Sequence, residues 1–296
     1  MTIIAGFRSD EGIVLCSDTQ ETIGSSKRHV AKVKVVPEHA ELLELLGNGD
    51  LAAVFGGSGY GPFIDLLTRK AWESCANSTS LEDACSAIEA SIKSVYREYG
   101  EIYQHGQCPT VELIYGVKLG GQSRLFSCVG PIVNPVDRYC SAGAGYYMSD
   151  FLSARMYSDT ISIQQCVILA AYILFQTKEH VDGCGGDSQV AVLRHNGRSG
   201  MVNRHRINAL TELLKESDRR LGQVLLAAAN LQPDYGTVLD MSLEVAKDAI
   251  NHARETALVR IAIDENPVGT MLPGFNLRDD LGFLELGISN PPESTP

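Results

Sequence analysis

Positive charge is scarce in this chain relative to negative charge. Among its 296 residues, 25 are Lys or Arg and 36 are Asp or Glu, giving a formal net charge of -11. Surfaces that bind nucleic acid or anionic membranes need clustered Lys and Arg. The charge balance therefore argues against both kinds of partner. One basic cluster exists, residues 27–29 with Lys32 and Lys34, and we expect it to be a solvated turn.

Long hydrophobic runs are also missing. The longest apolar run, residues 166–175, is much shorter than the roughly 20 residues that a membrane span requires. The chain passes from Met1-Thr2 directly into a predicted strand, without the basic region or cleavage site of a signal peptide. With 44% hydrophobic residues, it should fold as a globular protein. We therefore expect a cytoplasmic protein that is neither secreted nor inserted in a membrane.

The eight cysteines lack the spacing of a zinc site or a disulfide framework. No Cys-x-x-Cys pair occurs, and most of the cysteines have apolar neighbours. We interpret them as reduced core residues, which agrees with a cytoplasmic location.

The order of predicted elements indicates an α+β protein. Strands, two helices, strands, two helices and a last strand follow one another over residues 1–200. The strands after the first hairpin are predicted at residues 31–36, 51–55, 111–118, 124–128, 138–142 and 188–193. This order suits two stacked antiparallel sheets with helices on both outer faces, a four-layer α/β/β/α sandwich.

Residues 201–296 form a second region, which we predict to be a mainly helical C-terminal extension. Amphipathic helices are expected from Ile207 onward and within residues 243–257, an extra strand at 258–263, and a frayed tail at 289–296. The apolar faces of these helices need a surface to cover them. The extension should therefore pack on the core domain, residues 1–200, or on a neighbouring subunit.

The amino terminus carries the strongest chemical signal. Two apolar runs, residues 3–7 and 12–16, flank a polar turn and predict an antiparallel hairpin that returns Asp18 toward Thr2. If Met1 is removed, Thr2 gains a free amine, which titrates near 7.7–8.0. This amine can take the proton from the threonine hydroxyl as the oxygen attacks a carbonyl. One residue would then supply both nucleophile and base.

Several motifs resemble, in order, those of catalytic 20S proteasome β-like subunits, the threonine branch of the N-terminal nucleophile hydrolases. The similarity covers about residues 2–200. The motifs are Thr2, the pair Asp18-Thr19, Lys32 in VAKVKVV, Gly56-Gly57, the turn and helix SAGAGYYMSDFLSARM at 141–156, and DGCGGDSQVAVL at 182–193.

The resemblance implies a role for each matched residue. Thr2 is the nucleophile, Asp18 holds Lys32, and Lys32 assists proton transfer through its charge. The N–H of Gly56 stabilises the oxyanion of the attacked carbonyl. The implied activity is cleavage of polypeptide substrate inside a closed ring of identical subunits, with no metal and no organic cofactor and with an unfoldase as a further partner.

Three positions depart from the pattern of that family. Ala144 and Cys184 stand where serines are usual, and Val181 stands where an aspartate is usual. Neither alanine nor a thiol supplies a good hydrogen bond to the terminal amine. An active enzyme would then orient its amine through Asp182 or Ser188, while an inactive subunit would keep the fold alone.

Three functions therefore remain open. The chain is a threonine-type peptidase, a hydrolase of small amides that uses the same attack, or a non-catalytic structural subunit in which Thr2 is buried or Met1 is retained. The first two share their chemistry and differ in which substrates reach the site.

The state of the amino terminus separates the third function from the other two. We predict that protein purified from its native cell lacks Met1, because nucleophile activation of this kind requires a free threonine amine. Intact mass spectrometry would show a loss of one methionine mass. A full-length mass, with Met1 present, would instead favour the structural subunit.

Overall fold

A computed structural model describes residues 2–23, 26–37, 51–103, 108–195 and 199–228, together with the single positions 236, 240, 243, 244, 247, 248 and 251. Over these residues the protein has a mixed α+β fold with antiparallel sheets and five helices. The predicted α+β class is therefore confirmed.

The first sheet has five antiparallel strands in the order β10-β1-β2-β11-β12. Its strands are β1 (Ile4–Ser9), β2 (Gly12–Asp18), β10 (Tyr139–Ala142), β11 (Ser188–Arg194) and β12 (Gly200–Met201). The predicted N-terminal hairpin is confirmed, since β1 pairs with β2 in a register that places Ile4 opposite Ser17. This register brings Thr2 beside the end of β2.

The second sheet also has five antiparallel strands, in the order β5-β6-β7-β8-β9. Its strands are β5 (Val33–Val36), β6 (Ala52–Ser58), β7 (Glu112–Leu119), β8 (Gln122–Val129) and β9 (Ile132–Val136). Each strand follows its neighbour in the chain, apart from the helical segment that separates β6 from β7. The sheet is therefore a simple meander with one helical insertion.

The basic cluster forms a strand where we predicted a solvated turn. β3 (Gln20–Ile23) and β4 (Ser26–His29) form a separate two-stranded ribbon. All four residues of β4 are exposed, and an ion pair joins Arg28 to Glu21 on the opposite strand. Polar composition masked this strand, because it is held by backbone pairing and cross-strand charge rather than by a buried face.

The five helices are α1 (Gly61–Cys75), α2 (Leu81–Ile102), α3 (Tyr146–Met156), α4 (Ile163–His180) and α5 (Arg204–Ala228). Local sequence explains where several of them begin. The Ser80 hydroxyl accepts the backbone N–H of Asp83 and caps the start of α2. Ser162 and Gln165 form a reciprocal capping box at the start of α4.

Buried apolar side chains form three clusters. The first joins the first sheet to α3, α4 and α5, and the second joins the second sheet to α1 and α2. The third contains residues of both sheets, among them Leu15 of β2 and Val54 of β6. β2 is therefore covered on both faces, which explains why all seven of its residues are buried.

The start of the C-terminal extension lies against α4. Ile207 and Leu210 of α5 belong to the first core cluster, and Asp218 accepts hydrogen bonds from Tyr172 and Gln176. The strand predicted at residues 258–263, the tail at 289–296 and most of the helix at 243–257 lie outside the described residues.

No helix among the described residues is long and apolar enough to cross a membrane. All eight cysteines are free thiols, and those at positions 16, 75, 85, 128, 166 and 184 are buried. The described structure therefore contains no disulfide between them.

Candidate active site

The site is built around the carboxylate of Asp18, which ends β2 and has no solvent exposure. Four donors satisfy it. Its Oδ1 accepts from the Thr2 hydroxyl at 2.5 Å, the backbone N–H of Ile3 at 3.1 Å and Lys32 Nζ at 2.8 Å. Its Oδ2 accepts from the backbone N–H of Gly185 at 2.9 Å. A buried carboxylate without such partners would strongly destabilise the fold.

Thr2 lies where the N-terminal hairpin delivers it. The residue is buried, and its hydroxyl both donates to Asp18 and accepts from Lys32 Nζ. Its carbonyl accepts the backbone N–H of Gly145 at 3.1 Å. The hydroxyl therefore contacts both members of the Asp18–Lys32 ion pair.

Lys32 reaches this hydroxyl from the second sheet, because it immediately precedes β5. Its ammonium also donates to the carbonyl of Gln20 at 2.5 Å, and its side chain is only 9% exposed. The backbone N–H of Lys32 donates to the Gln189 side chain of β11 at 2.8 Å. Contacts to the first sheet and to the β3–β4 ribbon therefore hold the lysine in place.

A glycine turn fits closely against Thr2. Gly143 has φ +82°, and a Cβ atom there would lie 2.4 Å from the Thr2 carbonyl oxygen. Its backbone N–H donates to Glu112 at 2.7 Å. Any side chain at position 143 would displace Thr2, so glycine is required both by conformation and by space. Ala144, in the same turn, offers no side-chain donor to the terminal amine.

Thr2 opens onto a cleft with a volume of about 810 Å³. The β3–β4 ribbon, the start of β5, the end of β6 and the first turns of α1 form its walls. Charged residues of both signs line it, namely Glu21, Arg28, Lys32, Lys34 and Asp65. The cleft is large enough for a short peptide segment or a small molecule.

β6 contributes Phe55, Gly57 and Ser58 to the cleft lining. Gly56 faces the interior, where an added Cβ would lie 2.9 Å from Ile4 Cγ2. Lack of a side chain at position 56 thus lets β6 pack closely on the first sheet. The oxyanion role assigned to the N–H of Gly56 remains a prediction.

The two residues predicted to orient the amine lie in different surroundings. Ser188 is buried and pairs in register with Asp18 across β2 and β11, and its hydroxyl accepts from Lys178 Nζ at 2.8 Å. Asp182 is exposed in the turn after α4, and no other residue in the described part of the chain forms an ion pair with it. Thr2, Asp18 and Lys32 are thus brought together directly, and Ser188 adjoins them through Asp18.

Cys184 is buried near the same carboxylate. The pKa of its thiol is raised to about 11, chiefly by burial and also by the charge of Asp18, while the charge of Lys32 opposes the rise. The thiol is therefore protonated at neutral pH. In the described ranges, no group of three or more His, Cys, Asp or Glu is placed to hold a metal ion.

Several site residues were not found from the sequence. Glu112 holds the turn of Gly143, Gln189 fixes the backbone of Lys32, and Lys178 contacts Ser188. Each is a polar residue at the end or edge of an element, where solvent exposure is the usual expectation. All three are half-buried in the fold, and residue patterns do not reveal this.

Comparisons with known proteins extend the description of the fold. No protein-family model matches the chain, and no curated protein matches it. Similar solved structures include Anbu from Hyphomicrobium sp. strain MC1, with a TM-score of 0.58 at 14% identity, covering 75% of this chain and 97% of that one. Anbu from Yersinia bercovieri, described as an ancestral beta-subunit, gives 0.53 at 15% identity over 65% and 82%.

A third similar structure is the helical assembly of the Anbu complex from Pseudomonas aeruginosa. Its TM-score is 0.60 at 13% identity, and the match covers 79% of this chain and 100% of that one. At this identity the likeness concerns the fold alone.

The resemblance to a 20S proteasome β-like N-terminal nucleophile hydrolase was wrong as a family assignment. These similar structures are all Anbu proteins, and the described structure gives no direct support for a proteasome β subunit. The sequence motifs that suggested it, such as Thr2, Asp18 and Gly56-Gly57, are short, and they do not separate one branch of related folds from another.

Burial of the site predicts that replacing Lys32 costs more stability than replacing the nearby Lys34. Replacing Lys32 with Met should lower the free energy of unfolding by about 3 kcal/mol, because Asp18 would stay buried without its cation. Chemical denaturation would measure the change. Lys34→Met is the matched control, with an expected loss of about 1 kcal/mol or less, since its partner Asp65 is 66% exposed. Equal losses would contradict the central role of Asp18.

Proposed function

We propose that this protein is a threonine-type hydrolase that cleaves peptide bonds with Thr2 after removal of Met1. The proposal is carried by one observation, the contact of the Thr2 hydroxyl with both the Asp18 carboxylate and the Lys32 ammonium, which also bond to each other. A threonine that merely began a strand would not need a buried ion pair around its hydroxyl. Buried ion pairs add little stability on their own and are frequent at functional sites.

The reaction follows from these positions. The hydroxyl oxygen of Thr2 bonds to the carbonyl carbon of the substrate while its proton passes to the terminal amine of the same residue. The carbon–nitrogen bond then breaks, and the leaving amine takes up that proton. The resulting ester on Thr2 is hydrolysed by water, which restores the hydroxyl.

Charge on the enzyme supports both steps. The ammonium of Lys32 contacts the attacking oxygen and favours its negatively charged form. The Asp18 carboxylate keeps this ammonium in place. A backbone N–H aimed at the carbonyl oxygen, assigned by us to Gly56, would stabilise the oxyanion by roughly 3 kcal/mol. Asp182 or Ser188 would orient the amine, since Ala144 has no donor for it.

The proposal includes the arrangement of the whole chain. Residues 1–200 would form a four-layer α/β/β/α hydrolase domain, and residues 201–296 an extension, of which α5 packs on α4. The chain would act in a homo-oligomeric assembly fed with polypeptide by an unfoldase in the cytoplasm. Support for assembly comes from the Anbu complex of Pseudomonas aeruginosa, whose structure is described as helical.

The cleft favours a second candidate, hydrolysis of small amides by the same attack. Its volume of about 810 Å³ lies within the range of pockets that enclose small ligands. The chemistry at Thr2 would be unchanged, and only the route of substrate entry would differ.

Covalent labelling tests the nucleophile. We predict that an epoxyketone or a boronate modifies Thr2 of the protein that lacks Met1, and that Thr2→Ala abolishes the modification, as read by peptide mass mapping. Thr2→Ser is the matched control and should still react, because it keeps the hydroxyl beside the amine. Equal labelling of Thr2→Ala would refute the assignment, and an unreactive wild type would favour a structural subunit.

Size in solution separates the two catalytic candidates. For the peptidase we expect a large homo-oligomer by light scattering, because an enclosed chamber protects folded proteins from a nonspecific protease. A monomer or dimer that still hydrolyses small amides would support the second candidate instead.

A further inference from the structure

A second lysine, Lys178, lies behind the candidate site. It comes from the last turn of α4, and its ammonium donates to the hydroxyl of Ser188 at 2.8 Å and to the carbonyl of Gly186 at 3.0 Å. Neither contact involves Thr2 or the main cleft. Both contacts instead hold residues 183–188, which we name the Asp18-holding segment.

This segment contacts the end of β2 at several points. The N–H of Gly185 donates to Asp18 Oδ2 at 2.9 Å, and its carbonyl accepts the N–H of Gln20 at 3.0 Å. Asp187 exchanges hydrogen bonds with Thr19, the residue after Asp18. A displacement of the segment would therefore move the carboxylate on which Thr2 and Lys32 depend.

The alternation of side chains along β2 accounts for the approach of Lys178. Val14 and Cys16 pack in the cluster that contains α4, whereas Leu15 packs between the two sheets. Asp18 continues the two-residue alternation of Val14 and Cys16. Its side chain therefore leaves β2 on the face that packs against α4. Lys32 approaches from the second sheet. Asp18 therefore lies near two cations that come from different elements, Lys32 before β5 and Lys178 in α4.

Charge links Lys178 to the carboxylate as well. Burial lowers the pKa of the Lys178 ammonium below its usual value, while the negative charges of Asp18, Asp187 and Glu179 oppose that shift. Lys215 of α5 adds to the lowering. Cys16, Cys184 and Lys32 are further titratable groups near Asp18. A partly buried cation is costly unless it has such partners.

We propose that Lys178 is a positioning residue for the Thr2 nucleophile. Lys178 acts by anchoring the Asp18-holding segment and by offsetting the negative charge of Asp18. The inference rests on the proposed function at Thr2. Without this cation, the negative charge of Asp18 would stabilise the protonated forms of the groups around Thr2 more strongly. The terminal amine would then stay protonated, and unable to accept the hydroxyl proton, up to a higher pH.

The test is the pH dependence of the rate at which an epoxyketone labels Thr2. For Lys178→Met we expect the acidic limb of this profile to move to higher pH by about 0.5–1 unit, with the rate at pH 7 reduced several-fold. Lys178→Arg keeps the charge and should leave the limb near its wild-type position. Lys178→Gln provides the same test as Lys178→Met if the Met variant does not fold.

Lys215→Met is the matched control, because Lys215 lines the same surface depression as Lys178 but pairs with Glu179 and Glu212. It should not shift the limb. A neutral Lys178 variant with a wild-type profile, or with a uniform loss of rate and no shift, would overturn the inference. Failure of the wild type to label at Thr2 would instead overturn the proposed function.

Discussion

The burial of one carboxylate organises this protein. Asp18 is shielded from water on all sides, so its charge must be met by donors from the protein. Those donors come from the amino terminus, from the start of β5 and from the segment before β11. Three parts of the chain that are distant in sequence are thus drawn to one point. The position of the Thr2 hydroxyl is a result of this requirement.

Local patterns in the sequence were sufficient to predict the N-terminal hairpin and the partners Thr2 and Asp18. Two apolar runs around a polar turn pair with their neighbours in sequence, and antiparallel register then determines which residues meet. Lys32 was placed by resemblance, because its approach from the other sheet depends on how the sheets pack. The contact itself agrees with that placement, while the catalytic roles of Lys32 and Gly56 remain predictions.

Other features could not be predicted from residue patterns. The β3–β4 ribbon has little apolar character, and a lysine in the last turn of a helix is ordinarily solvated. Lys178 differs only because the segment before β11 folds back over α4. The family assignment failed for a related reason. Short motifs report shared requirements of backbone and charge, and these requirements do not identify one family.

The supply of site residues from two separate sheets has a consequence for the newly made chain. Thr2 and Asp18 belong to the first sheet, whereas Lys32 leads into the second. While the ribosome is still synthesising the later strands, β2 lacks its neighbour β11, and Lys32 lacks the Gln189 side chain that fixes its backbone. The surroundings of the Thr2 hydroxyl are therefore complete only in the finished tertiary structure.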